Sequence, residues 1–514
     1  MALLDIKKCF DSLWHEGILY KLHEIGLQGK IWRLINLMYK GFRCKVMVNG
    51  VISKGSDIDI LRGIHQGAPC SMFLFMLFIN NLLEELQEVR TGVKLGQHIV
   101  SCIAFADDIA LLASCKNDLQ MMVDIAYLYS LQWHFRFSPT KCVVLAFGKD
   151  HERHEHVTMG GHVLKIVSSE RHLGSILATV PKEEHRFIEK RISDCEKMCF
   201  ASLSIGSKTV PVTPKVLSKL YYSACIPKLC YGTEVMEIDD TSLSSMEKFH
   251  CKSAKIFQSL PQNACNVGSI ATLGWSNISA QIDIQRLLFL WRILQLPMHS
   301  MYKKVMIFLI FNRNDRCSGP LANMLKTCYK YGLLETLLES VLSGSYMSMN
   351  QWKKMIRCIV IDRYKKDLRR SFYLYDALSQ TSSYTLSNKV IAWWIYANWA
   401  PWQNKNCSMV IRLLLNTYRL GTSMCKMCNH NNDRLSHIIF ACVELEDLRK
   451  VCWDQVIKAC PPGLMQEMEQ MSDDARTIFI LNSLNCEYVR DWHNIYDALL
   501  GFICTMFYRY YYAW

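Results

Sequence analysis

The sequence contains no long hydrophobic run. Its longest apolar stretch, around residues 67–79, is shorter than the ~20 residues that a membrane-spanning helix needs, so we expect no membrane partner. A charged and then apolar leader ending in small residues is also absent from the start of the chain, and we expect no secretory signal. Internal repeats and low-complexity tracts are lacking as well. What remains is an ordinary globular composition, half apolar and one fifth charged.

Acidic residues are outnumbered by basic ones. The chain has 46 Asp and Glu against 59 Lys and Arg, which gives a net charge of +13. An excess of positive charge suits a polyanionic partner such as nucleic acid. The 23 cysteines are scattered through apolar stretches, as expected for buried thiols in a reducing compartment. We therefore expect an intracellular protein, nuclear and cytoplasmic.

The length and the periodicity divide the chain into several domains. A chain of 514 residues is too long for one core and predicts two to four domains. Up to about residue 175, alternating strands and amphipathic helices follow one another, including hairpins around Asn49-Gly50 and Gly160-Gly161. After Pro181 the pattern is almost wholly helical. We predict an α+β unit with an antiparallel sheet, followed by a mainly helical region.

The stretch "SCIAFADDIALLAS", residues 101–114, places two carboxylates between two apolar strands. Asp107 and Asp108 repel each other there, which is costly unless a cation lies among them. Mg²⁺ prefers oxygen ligands of this kind and binds together with substrate phosphates. Asp5, which ends a short apolar strand, offers a third acid. An isolated Asp-Asp pair would more often be a solvated turn, so the interpretation depends on the surrounding motifs.

Five blocks occur in one order along the first 175 residues. They are Asp5, Lys8, Phe10, Asp11 and His15; then Arg62, Gly63, Gln66, Gly67, Pro69 and Ser71; then Phe105 to Asp108; then Lys141 in "FSPTKCVV"; and Leu173-Gly174 in "ERHLGSIL". In this order and spacing they resemble the palm of reverse transcriptases, and most closely those of non-LTR, jockey-like retrotransposons. Met72 stands where the family has proline, and His172 where it has an aromatic residue.

The resemblance implies a right-hand polymerase fold and a division of the chain. Residues 1–180 correspond to the palm, 181–300 to a helical thumb, 301–410 to a basic helical connector, 411–450 to a zinc module, and 451–514 to a C-terminal helical segment. The implied function is RNA-directed DNA polymerisation by two-metal nucleotidyl transfer onto a primer 3′-hydroxyl. RNA template, DNA primer and deoxynucleoside triphosphates are the implied partners.

The resemblance also assigns roles to single residues. Asp5, Asp107 and Asp108 would hold two Mg²⁺ ions, with the backbone carbonyl of Ile6 completing a coordination shell. The implied nucleotide-binding residues are Phe10, Gln66 and Lys141, and the implied primer-binding residues are Leu173 and Gly174. From the residues alone, Phe10 also fits a core position and Gln66 a hydrogen-bonding residue at a helix start.

The family places a fingers region before the first acid, whereas Asp5 is the fifth residue here. We expect the loss of that region to impair polymerisation. A non-catalytic nucleic-acid-binding remnant of such an element is therefore the alternative function, and a decayed reading frame without a selected role is a third.

The C-terminal half contains one metal-ligand pattern. Cys425, Cys428, His437 and Cys442 have the spacing C-x2-C-x8-H-x4-C, which suits one tetrahedral, structural Zn²⁺ ion. Four unrelated residues in a cysteine-rich chain are the alternative. Residues 352–370 carry eight basic and two acidic side chains, which predicts either a nucleic-acid-binding helix or a solvated basic face.

Overall fold

The computed structural model describes residues 1–52, 55, 57–148, 156–205, 212–312, 319–373, 390–421, 423–481 and 491–512. Its strands are β1 (Ala2–Asp5), β2 (Arg43–Cys44), β3 (Met47–Val48), β4 (Val51–Ile52), β5 (Ile58–Asp59), β6 (Val93–Leu95), β7 (His98–Val100), β8 (Cys102–Phe105), β9 (Asp108–Leu111), β10 (Val143–Val144), β11 (Thr158–Met159), β12 (His162–Val163), β13 (Lys165–Ile166), β14 (Ser169–His172) and β15 (Ser175–Ala178).

Among the described residues, strands are found only up to Ala178, whereas α-helices occur throughout the chain. They are α1 (Cys9–Ser12), α2 (His15–Glu24), α3 (Lys30–Tyr39), α4 (Ser71–Glu88), α5 (Lys116–Gln132), α6 (Pro181–Leu203), α7 (Pro214–Leu220), α8 (Ile226–Cys230), α9 (Asp240–Phe257), α10 (Asn266–Ala271), α11 (Ile278–Leu294), α12 (Met301–Phe311), α13 (Pro320–Lys330), α14 (Leu334–Ser343), α15 (Met349–Tyr373), α16 (Ala392–Trp399), α17 (Asn404–Leu414), α18 (Glu446–Ala459), α19 (Pro462–Glu469), α20 (Asp473–Leu481) and α21 (Trp492–Tyr511). Two π-helical turns span Tyr221–Cys225 and His437–Ala441, and two 3₁₀ turns span Pro401–Gln403 and Val443–Leu445.

The chain forms two compact units. One comprises Met1–Glu184 with Met298–Arg313, and the other comprises His185–Pro297 with Asn314–Trp514. The first mixes strands and helices as predicted, whereas the described part of the second is helical. The finer division into palm, thumb, connector, zinc module and C-terminal segment stays a prediction. Within the described residues, no helix combines the length and apolar character needed to cross a membrane.

A five-stranded sheet organises the first unit, in the order β13-β10-β1-β9-β8. Its central strand β1 pairs antiparallel with β9 on one side and with β10 on the other. Both faces of β1 are covered, because Ala2 and Leu4 belong to the main core while Leu3 packs with Ala110 and Val143. A strand buried on both faces reads as a continuous apolar run, and "ALL" fits that pattern. Asp5 follows directly after this buried run.

A buried lysine joins three helices of the first unit. Lys21 of α2 is 1% exposed, and its Nζ donates to Asn81 Oδ1 (2.9 Å) on α4 and to the Tyr129 hydroxyl on α5. The same ammonium lies 3.9 Å from the centre of the Trp133 ring. Burial lowers the pKa of Lys21 to about 8. Hydrogen bonds and cation–π contacts therefore hold a charged group inside an otherwise apolar core.

Candidate active site and metal centre

The three predicted acids lie at one end of the central sheet. In the antiparallel register between β1 and β9, Asp5 is directly opposite Asp108. Residues opposite each other in an antiparallel pair project from the same face, with Cβ atoms about 5 Å apart. Asp107 belongs to the two-residue turn between β8 and β9, beside Asp108. The structure therefore brings together acids that are about one hundred residues apart in sequence.

The turn that carries Asp107 is made without glycine. Phe105 and Asp108 are register partners, so Ala106 and Asp107 form the connection. Ala106 has a φ of 55°, in the left-handed region that non-glycine residues rarely adopt. Strained backbone of this kind is concentrated at functional sites. The strain at Ala106 fits a turn whose role is to position the carboxylates of Asp107 and Asp108.

Asp5 presents an unsatisfied oxygen at this end of the sheet. Its Oδ2 atom is buried and has no hydrogen-bond partner among the described residues, and Lys141 Nζ lies 3.6 Å away. The backbone of Asp5 is fully engaged, because its amide donates to Cys142 Sγ (3.3 Å) and its carbonyl accepts from Ser138 (2.9 Å). A buried carboxylate oxygen without a donor is costly, and a hard cation satisfies it. The acids present therefore fit a Mg²⁺ site.

Cys9 is a site residue that the sequence did not reveal. Its thiol donates to Asp107 Oδ2 at 3.2 Å. Burial, reinforced by that hydrogen bond, raises the pKa of Cys9 to about 12, so the group remains a protonated donor. It occupies an unremarkable position between Lys8 and Phe10, in the first predicted block. The contact links the helix after Asp5 to the acidic turn.

The glycine-containing loop before α4 is fastened to the segment after Asp5. Gly63 donates to the Leu13 carbonyl (2.8 Å), and Ile64 donates to the Phe10 carbonyl (2.7 Å). The Gly63 carbonyl in turn bonds to the buried ring of His15 at 2.7 Å. A β-carbon at Gly63 would lie 2.9 Å from backbone atoms of Asp11, and φ there is +95°. Only glycine, which has no β-carbon, can lie this close to the Asp11 backbone.

The predicted nucleotide-binding residues lie around the same segment. Phe10 is partly buried against the core, with its ring centre 5.6 Å from that of Phe75. Gln66 is exposed and its Nε2 donates to Asp11 Oδ1 at 3.1 Å. Lys141, 70% exposed at its side chain, is the cation near Asp5. All three are in the first unit, and their roles stay predictions.

Three further predicted residues have defined backbone positions. Ile6 continues β1 as an isolated antiparallel bridge to Phe137. Leu173 and Gly174 form the turn between β14 and β15, and both have positive φ values, of 50° and 77°. That hairpin is a two-stranded sheet separate from the central one. The contact of Ile6 with metal and that of the hairpin with primer stay predictions.

The second unit contains a cluster with the geometry of a metal centre. One ligand atom from each of Cys425, Cys428, His437 and Cys442 lies within 4.8 Å of all the others. The Cys425 and Cys442 sulfurs are 3.9 Å apart, and Cys428 Sγ is 3.2 Å from His437 Nε2. Four ligands at tetrahedral Zn–S distances place their sulfurs about 3.8 Å apart. Burial lowers the pKa of His437, which favours the neutral ring that binds metals.

Two charged residues outside the sequence pattern form hydrogen bonds within the segments that carry these four residues. Asp433 is buried and accepts hydrogen bonds from the amides of Gly421 and Ser423 at 2.7 and 3.1 Å. Arg449 of α18 donates through Nε to the Ile439 carbonyl (2.9 Å) and through Nη2 to the Cys442 carbonyl. Hydrogen bonds outside the ligand set orient metal ligands. Neither residue has a recognisable spacing in the sequence.

Comparison with known proteins agrees with the geometry of the first unit. Residues 1–191 match the family model described as "Reverse transcriptase (RNA-dependent DNA polymerase)". A jockey RNA-directed DNA polymerase of Drosophila funebris is 25% identical over 274 residues, which is 50% of this chain and 28% of that protein. A Pol polyprotein of element R2 from Nasonia vitripennis is 32% identical over 167 residues, 31% of this chain and 16% of that protein. The chain thus spans less than a third of each relative.

The central sheet is antiparallel except between β10 and β13, which pair in parallel. A sheet of this kind with acids at one end, in a region with this match, is typical of the palm-type polymerase fold. Over residues 1–191 the chain matches the reverse transcriptase family, and its similarity to the jockey and R2 proteins supports a reverse transcriptase of the non-LTR retrotransposon type. The resemblance inferred from the sequence motifs is confirmed.

Proposed function

We propose that the chain is an RNA-directed DNA polymerase that adds deoxynucleotides to a primer 3′-hydroxyl. RNA template, DNA primer and deoxynucleoside triphosphates are its proposed substrates and partners. The observation that carries the proposal is the register of β1 and β9, which brings Asp5 opposite Asp108 beside the Asp107 turn, inside a reverse transcriptase domain. Converging carboxylates of this kind suit phosphoryl transfer between nucleotides.

Asp5, Asp107 and Asp108 are the proposed ligands of two Mg²⁺ ions, with the carbonyl of Ile6 as a further oxygen ligand. Bound Mg²⁺ supplies charge neutralisation on the phosphates and a lower pKa for the attacking hydroxyl. The buried Oδ2 of Asp5 supports this role, because it has no hydrogen-bond partner among the described residues and its one ion pair is with Lys141, at 3.6 Å. Cys9 contributes by holding Asp107 through its thiol, which leaves the second carboxylate oxygen of Asp107 available.

The remaining site residues position the substrates. Phe10, held against Phe75, is proposed to close the sugar side of the nucleotide site, where a bulky ring excludes a ribose 2′-hydroxyl. Gln66 is proposed to contact the incoming or templating nucleotide, and Lys141 to neutralise the leaving pyrophosphate. Lys141 has the charge and exposure for this role. The Leu173–Gly174 turn is proposed to contact the primer strand.

Primer extension on an RNA template tests the proposal. In Asp107→Asn the carboxylate becomes an amide of nearly equal size, so the fold is retained while a ligand charge is lost. We expect extension to fall by at least about a thousandfold, which corresponds to ~4 kcal/mol of transition-state stabilisation. The matched control is Asp124→Asn, on the exposed side of α5, which should extend as the unaltered chain does.

The same experiment separates the two candidate functions. Equal extension by Asp107→Asn and Asp124→Asn would contradict the proposal. A chain that binds RNA but extends no primer, with or without Asp107, would instead be a non-catalytic nucleic-acid-binding protein.

We also propose that Cys425, Cys428, His437 and Cys442 hold one structural Zn²⁺ ion. The mutual proximity of the four ligand atoms and the burial of Cys425 and Cys442 support this assignment. Three thiolates and one imidazole leave no open position on a tetrahedral ion, so the proposed role is structural. Asp433 and Arg449 are the proposed positioning residues of the site.

A further inference from the structure

Helix α15 is fixed along one face by aromatic and aliphatic side chains. A stripe at every fourth residue, Trp352, Ile356, Val360, Tyr364 and Leu368, is buried. The Trp352 ring stacks on Trp291 with centres 3.9 Å apart, and its Nε1 donates to the Leu287 carbonyl. The Tyr364 hydroxyl donates to the Trp275 carbonyl at 3.2 Å. These contacts determine which face of the helix remains outside.

The outward face of α15 is strongly basic. Lys353, Lys354, Arg357, Lys366 and Arg370 are all exposed. At 1.5 Å per residue, the row from Lys353 to Arg370 is about 25 Å long. Because the buried stripe recurs every four residues, the exposed cations follow the other side of the helix as one row, in which the exposed Asp362 lies between Arg357 and Lys366. The tertiary structure thus converts a basic sequence segment into an ordered surface.

Acidic side chains neutralise little of this surface. Asp367 pairs with Arg363 at 3.6 Å, and Asp362 lies 3.9 Å from Lys365. Within the described part of the chain, Lys353, Lys354, Arg357 and Lys366 form no salt bridge. Long basic side chains that lack acidic partners are available to neutralise phosphates of a bound strand.

We infer that the exposed basic row of α15, Lys353 to Arg370, is an RNA-binding surface that contacts the phosphate backbone. Charge complementarity argues for a polyanion, and the 25 Å length of the row suits a strand rather than a single phosphate group. The choice of RNA rests on the proposed function, because a polymerase that copies RNA gains affinity from a second RNA contact on the same chain. This contact depends on the charge of the RNA phosphates and not on the base sequence.

Fluorescence anisotropy with a labelled, unstructured RNA of about 40 nucleotides tests this inference. The full chain is used without deoxynucleoside triphosphates, so no synthesis occurs. In the double variant Lys354→Gln, Lys366→Gln, we expect about tenfold weaker binding at 0.1 M salt. The slope of log affinity against log salt should fall by about 1.4, since each lost phosphate contact contributes about 0.7 for a single strand.

The matched control is Lys405→Gln, Lys458→Gln, which removes the same charge from exposed positions on α17 and α18. The inference predicts that this control binds nearly as the unaltered chain does. Equal losses in the two double variants would mean that only net charge matters and would overturn it. An unchanged RNA affinity of the α15 variant would overturn it too. So would an α15 variant that binds a DNA strand more weakly but binds RNA as the unaltered chain does.

Failure of this inference is distinguishable from failure of the proposed function. Asp107→Asn should bind the RNA as tightly as the unaltered chain, because the acid does not belong to the basic row. If Asp107→Asn binds RNA but does not extend a primer, the result concerns the acidic site alone. If the α15 variant binds RNA weakly but still extends a short annealed primer, the result concerns the helix alone. Circular dichroism should be unchanged in both double variants, because the substituted side chains are exposed.

Discussion

Ala106 illustrates how much a single backbone angle matters at the acidic turn. The sequence "FADD" predicts a hairpin tip but lacks the glycine that such turns usually carry. The structure resolves this by giving Ala106 a left-handed φ of 55°, at a cost of about 1 kcal/mol relative to glycine. We interpret the strain as the energetic cost of holding two carboxylates beside Asp5.

His250 is a buried titratable residue without a role in the proposed chemistry. It lies in the second unit, fully buried, with Nδ1 2.9 Å from the Tyr221 hydroxyl and Nε2 3.0 Å from the Ser276 carbonyl. A carbonyl only accepts, so Nε2 carries the proton and Nδ1 accepts from Tyr221. Burial lowers the pKa of His250 to about 4. The neutral ring is therefore the form that the native structure requires.

The lowered pKa of His250 predicts an acid-dependent loss of stability. Below pH ~6.5 the unfolded chain binds a proton at this residue, while the folded chain does so only near pH 4. The free energy of unfolding should therefore decrease as the pH falls from 6.5 towards 4, by up to about 3 kcal/mol from this residue. Urea unfolding at a series of pH values measures it.

Two histidine variants separate this effect from other titrations. His250→Gln keeps a donor for Ser276 and does not titrate, so its unfolding free energy should depend less on pH across the same interval. His23→Gln removes an exposed histidine and should leave the pH dependence as it is. Identical pH profiles for all three proteins would refute the assignment.

Among the secondary-structure elements, those with strong local signals matched the sequence. The hairpins predicted around Asn49-Gly50 and Gly160-Gly161 are both present, as the antiparallel pairs β3–β4 and β11–β12. Their signals are local, namely apolar periodicity and turn residues. The close approach of the Gly63 loop to the Asp11 segment was not predictable, because it depends on two segments about fifty residues apart.

Gly63 and Gly67 provide a matched test of that loop. Both have positive φ values, +95° and +88°, so alanine at either position is strained by about 1 kcal/mol. Only at Gly63 would the new β-carbon also meet backbone atoms, those of Asp11 at 2.9 Å, whereas nothing lies within 4 Å at Gly67. We expect Gly63→Ala to lower the free energy of unfolding by ~2 kcal/mol more than Gly67→Ala, measured by urea unfolding.

Equal destabilisation by the two substitutions would show that the loop moves away from Asp11 at little cost. In that case the contact does not fix the segment after Asp5.

The chain as a whole consists of two compact units with different compositions of secondary structure. The central sheet and its acids belong to one, while the Cys/His cluster belongs to the other. Multi-domain chains need not unfold in one transition. A structural metal therefore stabilises first of all the unit that binds it.

Zinc removal provides the corresponding test. Purified chain should contain one equivalent of zinc by elemental analysis, and Cys428→Ser should lose most of it, because one of four ligands is missing. A strong chelator should lower the midpoint of thermal unfolding of the intact chain by several degrees. Cys358→Ser, at an exposed cysteine of α15, is the control and should keep both zinc and midpoint. Full zinc content in Cys428→Ser would contradict the proposed ligand set.

The sequence by itself determined the motifs, the order of the elements, and which acids and which cysteine and histidine residues to examine as candidate metal ligands. These follow from local periodicity and from residue spacing within short segments. The tertiary structure alone decided that Asp5 meets Asp108, that the thiol of Cys9 holds Asp107, that Lys21 is buried and that the cations of α15 face outwards. Each of these depends on strand order and helix packing between residues far apart in the chain, such as Cys9 and Asp107, which are separated by 98 positions. Local sequence patterns do not predict such pairings, because the packing of the whole core determines which distant residues meet.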